Sequence, residues 1–358
     1  MKYNLRWRRL FLTISSFFVL GLITGCSQPA GMEPESQTPE GNGIEAHGAL
    51  NVDGAFLCDE NGNQVVLRGM SSHGISWYPR YLNGGAMKTL KEYGANLFRI
   101  AAYTEPTGAY LENPNRTLDY LYMGAESALA EDMYVILDWH ILNDNDPNEY
   151  IEEAKDFFDQ LSAHYAGEPG ILYEICNEPN GDVTWEQISA YAKEVIPVIR
   201  KNAPDAVILV GTPNYCSHLE GPLSDPLPFE NIMYSYHRYV DISVDEVGWD
   251  GPFKKYTEQG LPIFVTEWGV SAGEQAYFED EEESALADVE LYPETADSFL
   301  DAMDRYQISW AGWALCNKTE WHSAIQPDCT KYSGWGEDDL TVSGKLMFSR
   351  FLPEVDGQ

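Results

Sequence analysis

The chain has 358 residues and a formal net charge of −35, with 57 Asp and Glu against 22 Lys and Arg. Hydrophobic residues make up 44% of it, and 10 Trp, 22 Tyr and 14 Phe are among them; such a chain buries a large core, which excludes wholesale disorder. The acid excess excludes a nucleic-acid binder, because phosphate recognition needs a basic footprint, and it repels an extended polyanion but not a neutral polymer.

The first 25 residues read as an export signal. Lys2, Arg6, Arg8 and Arg9 precede an apolar run from Leu10 to Ile23, broken by Thr13, Ser15, Ser16 and Gly21, which is short for a stable membrane span. Leu22-Ile23-Thr24-Gly25-Cys26 resembles the lipobox of bacterial lipoproteins. That resemblance implies cleavage before Cys26, diacylation of its thiol and anchoring at the bacterial cell surface, for which two acyl chains suffice. The alternative is an ordinary secretory peptide with an incidental cysteine. Losing residues 1–25 removes four positive charges and no negative ones, which takes the net from −35 to −39. Residues 26–43, rich in Pro, Gly, Ser, Glu and Gln, read as the anchor cysteine and a flexible tether.

Residues 44–358 show neither an internal repeat nor a second linker, so one domain is the economical reading. A hairpin opens it, with Val52–Cys58 extended, Asp59–Asn63 as the turn and Gln64–Leu67 resuming. Short apolar runs then alternate with helical patterns. The runs are Val65–Met70, Asn96–Ile100, Tyr134–Asp138, Ile171–Ile175, Val207–Val210, Ile232–Tyr236, Pro262–Thr266 and Ile308–Leu315. The helices are Ala86–Tyr93, Asp119–Glu131, Asn148–Ala166, Trp185–Lys201, Phe253–Gln259, Thr295–Tyr306 and Ser343–Phe351. Eight strand–helix units predict an α/β fold, a (β/α)8 TIM barrel carrying a short N-terminal β-hairpin. An open doubly wound sheet is disfavoured, since Arg68–Gly74 contains no GxGxxG.

Barrel chemistry sits where strands end, and polar residues gather there. Arg99 belongs to the second strand, Asp138-Trp139-His140 ends the third, and Glu174-Ile175-Cys176-Asn177-Glu178-Pro179 ends the fourth. His237-Arg238-Tyr239 follows the sixth, Thr266-Glu267-Trp268-Gly269 ends the seventh, and Trp313 lies in the eighth with Lys318 close behind. Glu178 and Glu267 would open onto one mouth, and two carboxyls at one site are what glycosidic cleavage needs. Arg99 beside a carboxylate favours its ionised form. Tyr239 can bond the Glu267 carboxylate, His237 a sugar or a water, and His140 a hydroxyl or the acid. Aromatic rings stack on the apolar faces of sugars. Trp77, Trp139, Tyr103, Tyr215, Trp268 and Trp313 all lie near strand ends, and Trp313 is the preferred platform.

Five cysteines follow Cys26: Cys58, Cys176, Cys216, Cys316 and Cys329. An odd number argues against a full disulfide framework, and no zinc spacing is present. One bridge, Cys316–Cys329, is conceivable because both flank a single polar loop. The acidic run Glu279-Asp280-Glu281-Glu282-Glu283 reads as a solvated loop, with weak calcium binding as the minor reading.

Several blocks resemble the bacterial endoglucanases of glycoside hydrolase family 5, over nearly everything from Ala49 to the C-terminus. They are Leu67–Gly74, Val135–His140, Tyr173–Gly181, Val210–Pro213 and Ile263–Gly269, of which Asn177-Glu178-Pro179 is the most specific. The resemblance implies a (β/α)8 barrel and retaining hydrolysis of β-1,4-glucan, with Glu178 as acid/base and Glu267 as nucleophile. Arg99, His140, Asn177, His237, Tyr239 and Trp313 match the family's other recurring active-site positions. His73, Tyr103 and Lys318 match positions that contact sugar or line the cleft. Asn214-Tyr215-Cys216 departs from the subgroup's tryptophan at this point, so Tyr215 offers a smaller stacking surface. No cofactor or metal is expected, the expected partner is a β-glucan polysaccharide, and a monomer is expected. A mannanase, xyloglucanase or mixed-linkage glucanase on the same scaffold is the alternative, and a non-catalytic glycan-binding lipoprotein a further one.

Overall fold

A computed structural model of the chain describes residues 41–240, 248–270 and 293–352, all within one compact unit. The expected signal, lipobox, most of the tether and the acidic run at 279–283 lie outside these residues. Among the described residues, no helix is long and apolar enough to cross a membrane.

After the short helix α1 (Ile44–His47), β1 (Asn51–Asp53) and β2 (Phe56–Cys58) form an antiparallel hairpin. The expected turn at Asp59–Asn63 is present, with Cys58 paired antiparallel to Gln64, but an earlier reversal was not expected. The chain reverses at Gly54, whose φ of +58° is open to glycine without strain, and Val52–Cys58 is therefore two strands. The stretch after Cys58 is a second turn, closed by the Asp59 carboxylate accepting from the backbone N–H groups of Asn61 and Asn63, each at 2.8 Å.

Eight parallel strands follow and close into a barrel. They are β3 (Arg68–Ser72), β4 (Leu97–Tyr103), β5 (Tyr134–His140), β6 (Ile171–Glu174), β7 (Ile208–Val210), β8 (Ile232–Val240), β9 (Ile263–Val270) and β10 (Trp310–Leu315). The last strand pairs with both β9 and β3. All eight predicted strands are present, with ends moved by a few residues. Every residue of β5, β9 and β10 is buried, as expected of a parallel sheet covered on its outer face.

The outer layer comprises α2 (Gly84–Glu92), α3 (Pro114–Leu129), α4 (Ile151–His164), α5 (Trp185–Arg200), α6 (Pro213–Cys216), α7 (Glu220–Ser224), α8 (Asp250–Glu258), α9 (Pro293–Arg305) and α10 (Val342–Ser349). Helix α5 shows why they form. Thr184 and Gln187 make a reciprocal capping box, and Ile188, Tyr191, Ala192, Val195, Ile196 and Ile199 build one buried stripe. The segment α6 is helical only in outline, because Asn214, Tyr215 and Cys216 all have φ near +55°.

Alternation along the strands sorts side chains into layers. Leu97, Tyr134, Ile136, Leu172, Leu209, Met233, Phe264 and Ala311 belong to an apolar cluster that fills the barrel floor. Two residues further along several of these strands, the interior turns polar, with Arg99, Asp138, Glu174, Ser235 and Thr266 all buried. A second, larger apolar cluster packs the outer face of the barrel against the helices.

Candidate active site

Irregular pairing decides what enters the barrel mouth. Between its pairs with β8, strand β9 advances three residues (Phe264 to Glu267) while β8 advances two (Ser235 to His237). Its pairing with β10 slips in the same place, with Val265 to Trp268 set against Trp310 to Gly312. The extra residue is a bulge, and it lets consecutive residues Thr266 and Glu267 both reach into the interior, where an unbroken strand would turn one of them outward. Strand β10 slips likewise against β3 between Gly312 and Leu315, around Trp313.

Arg99 is the hub. Fully buried, its guanidinium donates to Glu174 Oε2 at 2.7 Å, Asn177 Oδ1 at 2.6 Å, Ser71 Oγ at 3.2 Å and Glu267 Oε2 at 3.2 Å. Asp138 Oδ2 lies 3.0 Å away on its other side. Burial opposes the charge, but Asp138, Glu174 and Glu267 outweigh it and hold the guanidinium ionised. Tyr239 Oη donates to Glu267 Oε1 at 2.6 Å. The Glu267 carboxyl thus takes donors on both oxygens.

Glu178 stands in a different setting. Its Oε1 meets His237 Nδ1 at 2.8 Å, and the other ring nitrogen meets Thr266 Oγ1 at 2.8 Å. His237 thus spends both nitrogens inside the protein rather than on sugar or solvent. Burial raises the Glu178 carboxyl to about 7, Arg99 pulling against the shift and Glu174 adding to it. Burial and the Glu178 charge also raise Glu267, which His237, Arg99 and His140 oppose. One proton shared by two adjoining carboxyls settles on the one without the cation.

His140 is also committed internally. Its Nδ1 meets Asp138 Oδ2 at 2.6 Å and its Nε2 meets Asn177 Nδ2 at 3.2 Å. Burial and Arg99 lower its pKa to about 3, so the ring is neutral; Nδ1–H donates to Asp138 and Nε2 accepts from the Asn177 amide. His140 therefore orients Asn177 rather than the acid.

Trp313 is 5% exposed, its ring against His140 (5.3 Å between centroids) and His73 (5.2 Å). Tyr103 packs on His140 at 4.0 Å, with Trp77 edge-on at 5.2 Å. Lys318 pairs with Glu320 at 2.7 Å, and His73 Nε2 lies 3.7 Å from the same carboxylate. Tyr215 is 49% exposed, and its backbone N–H donates to Pro179 O at 3.0 Å, which places it beside the Glu178 loop. Trp139 and Trp268 are fully buried in the outer core, against Phe157 and Trp310 respectively.

The conceivable disulfide is absent. Cys316 and Cys329 are free thiols, Cys316 bonded to Ser323 Oγ at 3.1 Å and Cys329 donating to Asp339 Oδ1 at 3.6 Å. The loop between them is held instead by Asn317, whose amide donates to Pro327 O and Cys329 O.

Three buried polar groups of the Arg99 network had no role assigned to them from the sequence: Glu174, Ser235 and Thr266. Glu174 accepts from Arg99, from Ser235 Oγ at 2.8 Å and from Thr266 Oγ1 at 2.7 Å. Its signal was a carboxylate within the apolar run Ile171–Ile175, two residues beyond the inward-facing Leu172. Thr266 stood among the polar strand-end residues but without a role, and Ser235 carried no comparable signal. Among the described residues, the one group of three acid or histidine side chains whose donor atoms lie within 4.8 Å of one another is Glu178, His237 and Glu267. Glu178 is bonded to His237, and Glu267 to Arg99 and Tyr239, so these atoms already have protein partners beside a cation rather than forming a vacant ligand set.

Residues 58–319 match the family model described as cellulase (glycosyl hydrolase family 5). The chain belongs to that family. This family 5 hydrolase is 39% identical over 313 residues to endoglucanase A of Butyrivibrio fibrisolvens, covering 86% of this chain and 69% of the relative. It is 38% identical over 302 residues to an endoglucanase of Clostridium saccharobutylicum, covering 84% and 64%. The chain thus spans about two thirds of the length of these curated relatives. Among solved structures, it superposes on the catalytic domain of a Thermobifida fusca endoglucanase with a TM-score of 0.78 at 33% identity, covering 87% of this chain and 99% of that one. A complex of that endoglucanase with cellotetraose gives the same TM-score of 0.78 at 32% identity. The protein is a glycoside hydrolase of the family 5 endoglucanase type.

Proposed function

We propose that this family 5 hydrolase cleaves internal β-1,4-glucosidic bonds of cellulose or related soluble β-glucans by double displacement. Glu267 attacks the anomeric carbon while Glu178 protonates the departing oxygen, which gives a covalent glycosyl-enzyme. Glu178 then draws a proton from water, which displaces Glu267, and the two inversions retain the anomeric configuration.

The observation that carries this reading is one pair of carboxyls in unlike settings. An oxygen of each lies within 4.8 Å of an oxygen of the other, which is compatible with the roughly 5–5.5 Å carboxyl separation of retaining enzymes. Glu267 is ion-paired and suited to attack, and Glu178 keeps its proton to near neutrality, as a general acid requires. Asn177, held by Arg99 and His140, takes the sugar 2-hydroxyl in this reading by its match to the family motif. Trp313, Tyr103, Tyr215, His73 and Lys318 supply the rings and polar groups of the cleft. The cellotetraose-bound relative supports the choice of β-glucan.

Proton NMR of the first-formed product tests the chemistry. A β anomer is expected, and an initial α anomer would overturn retention. Rates of wild type and Glu267→Gln on carboxymethyl-cellulose, mannan, xyloglucan and lichenan test the rest. The variant should lose at least about a thousandfold, in the range of other removed catalytic groups, and carboxymethyl-cellulose should be the preferred polymer. Residues 1–25 and Cys26 extend the proposal to location, an exported enzyme tethered by lipid at the cell surface. Mass spectrometry of the N-terminal peptide of the membrane-associated protein tests the anchor: a diacylated Cys26 at the N-terminus is expected, and an unmodified Cys26 would refute it.

A further inference from the structure

We propose that Thr266 and Glu174 are positioning residues that fix His237 in one tautomer and so place the acid proton on Glu178. The inference rests on the reading of Glu178 as the acid and extends it to two residues that touch no substrate.

The argument is a count of protons along one chain of hydrogen bonds. Glu174 accepts the Arg99 guanidinium on Oε2 at 2.7 Å and two hydroxyls, Ser235 and Thr266, on Oε1. A carboxylate paired with a guanidinium has no proton to give, so the Thr266 hydroxyl donates its only hydrogen to Glu174. Thr266 Oγ1 can then only accept from His237 Nε2, 2.8 Å away. Burial holds the His237 pKa down to about 4, so the imidazole is neutral and its one hydrogen is on Nε2, which leaves Nδ1 bare. A bare Nδ1 at 2.8 Å from Glu178 Oε1 demands a hydrogen between them, and only Glu178 can supply it. For a neutral His237, the order from Glu174 through Thr266 and His237 to Glu178 leaves one consistent placement, with the carboxylic proton on Glu178.

The bulge in β9 makes this possible, since it brings Thr266 into the interior beside Glu267. Other charges also face these groups. Arg99 and Tyr103 reach in from β4, Asp138 and His140 from β5, Glu174 from β6 and Glu267 from β9. Arg99 favours the ionised acid, whereas the carboxylates oppose it. The chain through Thr266 adds a preference those charges lack, because it forbids His237 to donate to an ionised Glu178.

The experiment is the pH dependence of kcat/KM on a cello-oligosaccharide for wild type, Thr266→Val and Thr266→Ser. Valine keeps the shape and removes the hydroxyl. His237 is then free to carry its hydrogen on Nδ1 and donate to the Glu178 carboxylate, which stabilises the ionised form. The alkaline limb should move down by about one pH unit, and serine should restore it. A valine variant that loses rate equally at every pH, with the limb unmoved, would overturn the proposal and leave Thr266 a packing role. Should Thr266→Val not fold, nitrogen-15 NMR of the intact wild type decides, with the His237 signals assigned by His237→Gln. Protonated Nε2 with bare Nδ1 supports the proposal, and protonated Nδ1 refutes it. Glu178→Gln on unactivated and dinitrophenyl cellobiosides tests the underlying reading separately. If it spares the unactivated substrate, Glu178 is not the acid whatever Thr266 does.

Discussion

Replacing Glu178 by glutamine should make the protein more stable, but only above a definite pH. The carboxyl is 8% exposed and burial lifts its pKa from 4.5 to about 7. Below about pH 4.5 folded and unfolded chains both carry the proton, and the residue is neutral in the balance. Between there and about 7 the folded protein keeps a proton that the unfolded chain has lost, so stability falls as the pH rises. Above 7 the loss is complete. At about 1.36 kcal/mol per pKa unit, the displacement is worth roughly 2–4 kcal/mol. Glutamine cannot ionise, and its amide can donate to the bare Nδ1 of His237 in place of the acid hydroxyl. Asp138, also raised to about 7 by burial, and Glu267 both feel the Glu178 charge, so the variant relieves them above pH 7 and the gap changes in the same direction. Urea unfolding of wild type and variant at pH 4, 6 and 8 reads the effect directly. The gap should be near zero at pH 4 and reach its full size in favour of the variant at pH 8. A gap independent of pH, or a wild type more stable at pH 8, would refute the placement of the proton.

Removing the Tyr239 hydroxyl with Tyr239→Phe deletes a 2.6 Å donor to Glu267. Hydrogen bonds to a charged group contribute about 1.5–3 kcal/mol, so the acidic limb of kcat/KM should rise by about 1–2 pH units; an unmoved limb would show that Tyr239 does not hold the carboxylate. Gly69→Ala addresses the barrel instead. A Cβ there would stand 1.8 Å from the Leu97 carbonyl oxygen, so β3 and β4 must part. A loss on the order of 2–4 kcal/mol in urea unfolding is expected, as for other overpacked core sites.

The strands were legible because burial on both faces makes each a short apolar run, and the helices because one buried stripe repeats at 3.6 residues. The turn at Asp59–Asn63 was legible, whereas the reversal at Gly54-Ala55 was not, since it interrupts no alternation in Val52–Cys58 and looked like strand. Trp139 and Trp268 neighbour the site in sequence but face the helices. For Trp139 the period of two already implied this, since Asp138 and His140 on either side point inward. Thr266 is the contrary case. By alternation Thr266 and Glu267 belong on opposite faces, and only the slip against both neighbouring strands brings them together. Such a slip is a property of three strands at once, and no single stretch of sequence records it.

The seam that closes the barrel has a consequence for how the molecule comes to exist. Leu67 N donates to Ser309 Oγ at 2.9 Å, and Arg68 pairs with Asp304 at 2.7 Å, across sequence separations of 242 and 236 residues. During synthesis, β3 therefore waits for nearly the whole polypeptide before its second partner emerges. Until Trp310–Leu315 has left the ribosome, the sheet is an open fan with two bare edges, the kind of surface that recruits other chains. Contacts this distant make for slow closure. A chain cut short before β10 would lack a whole wall rather than a tail, and would be left with edges instead of a mouth.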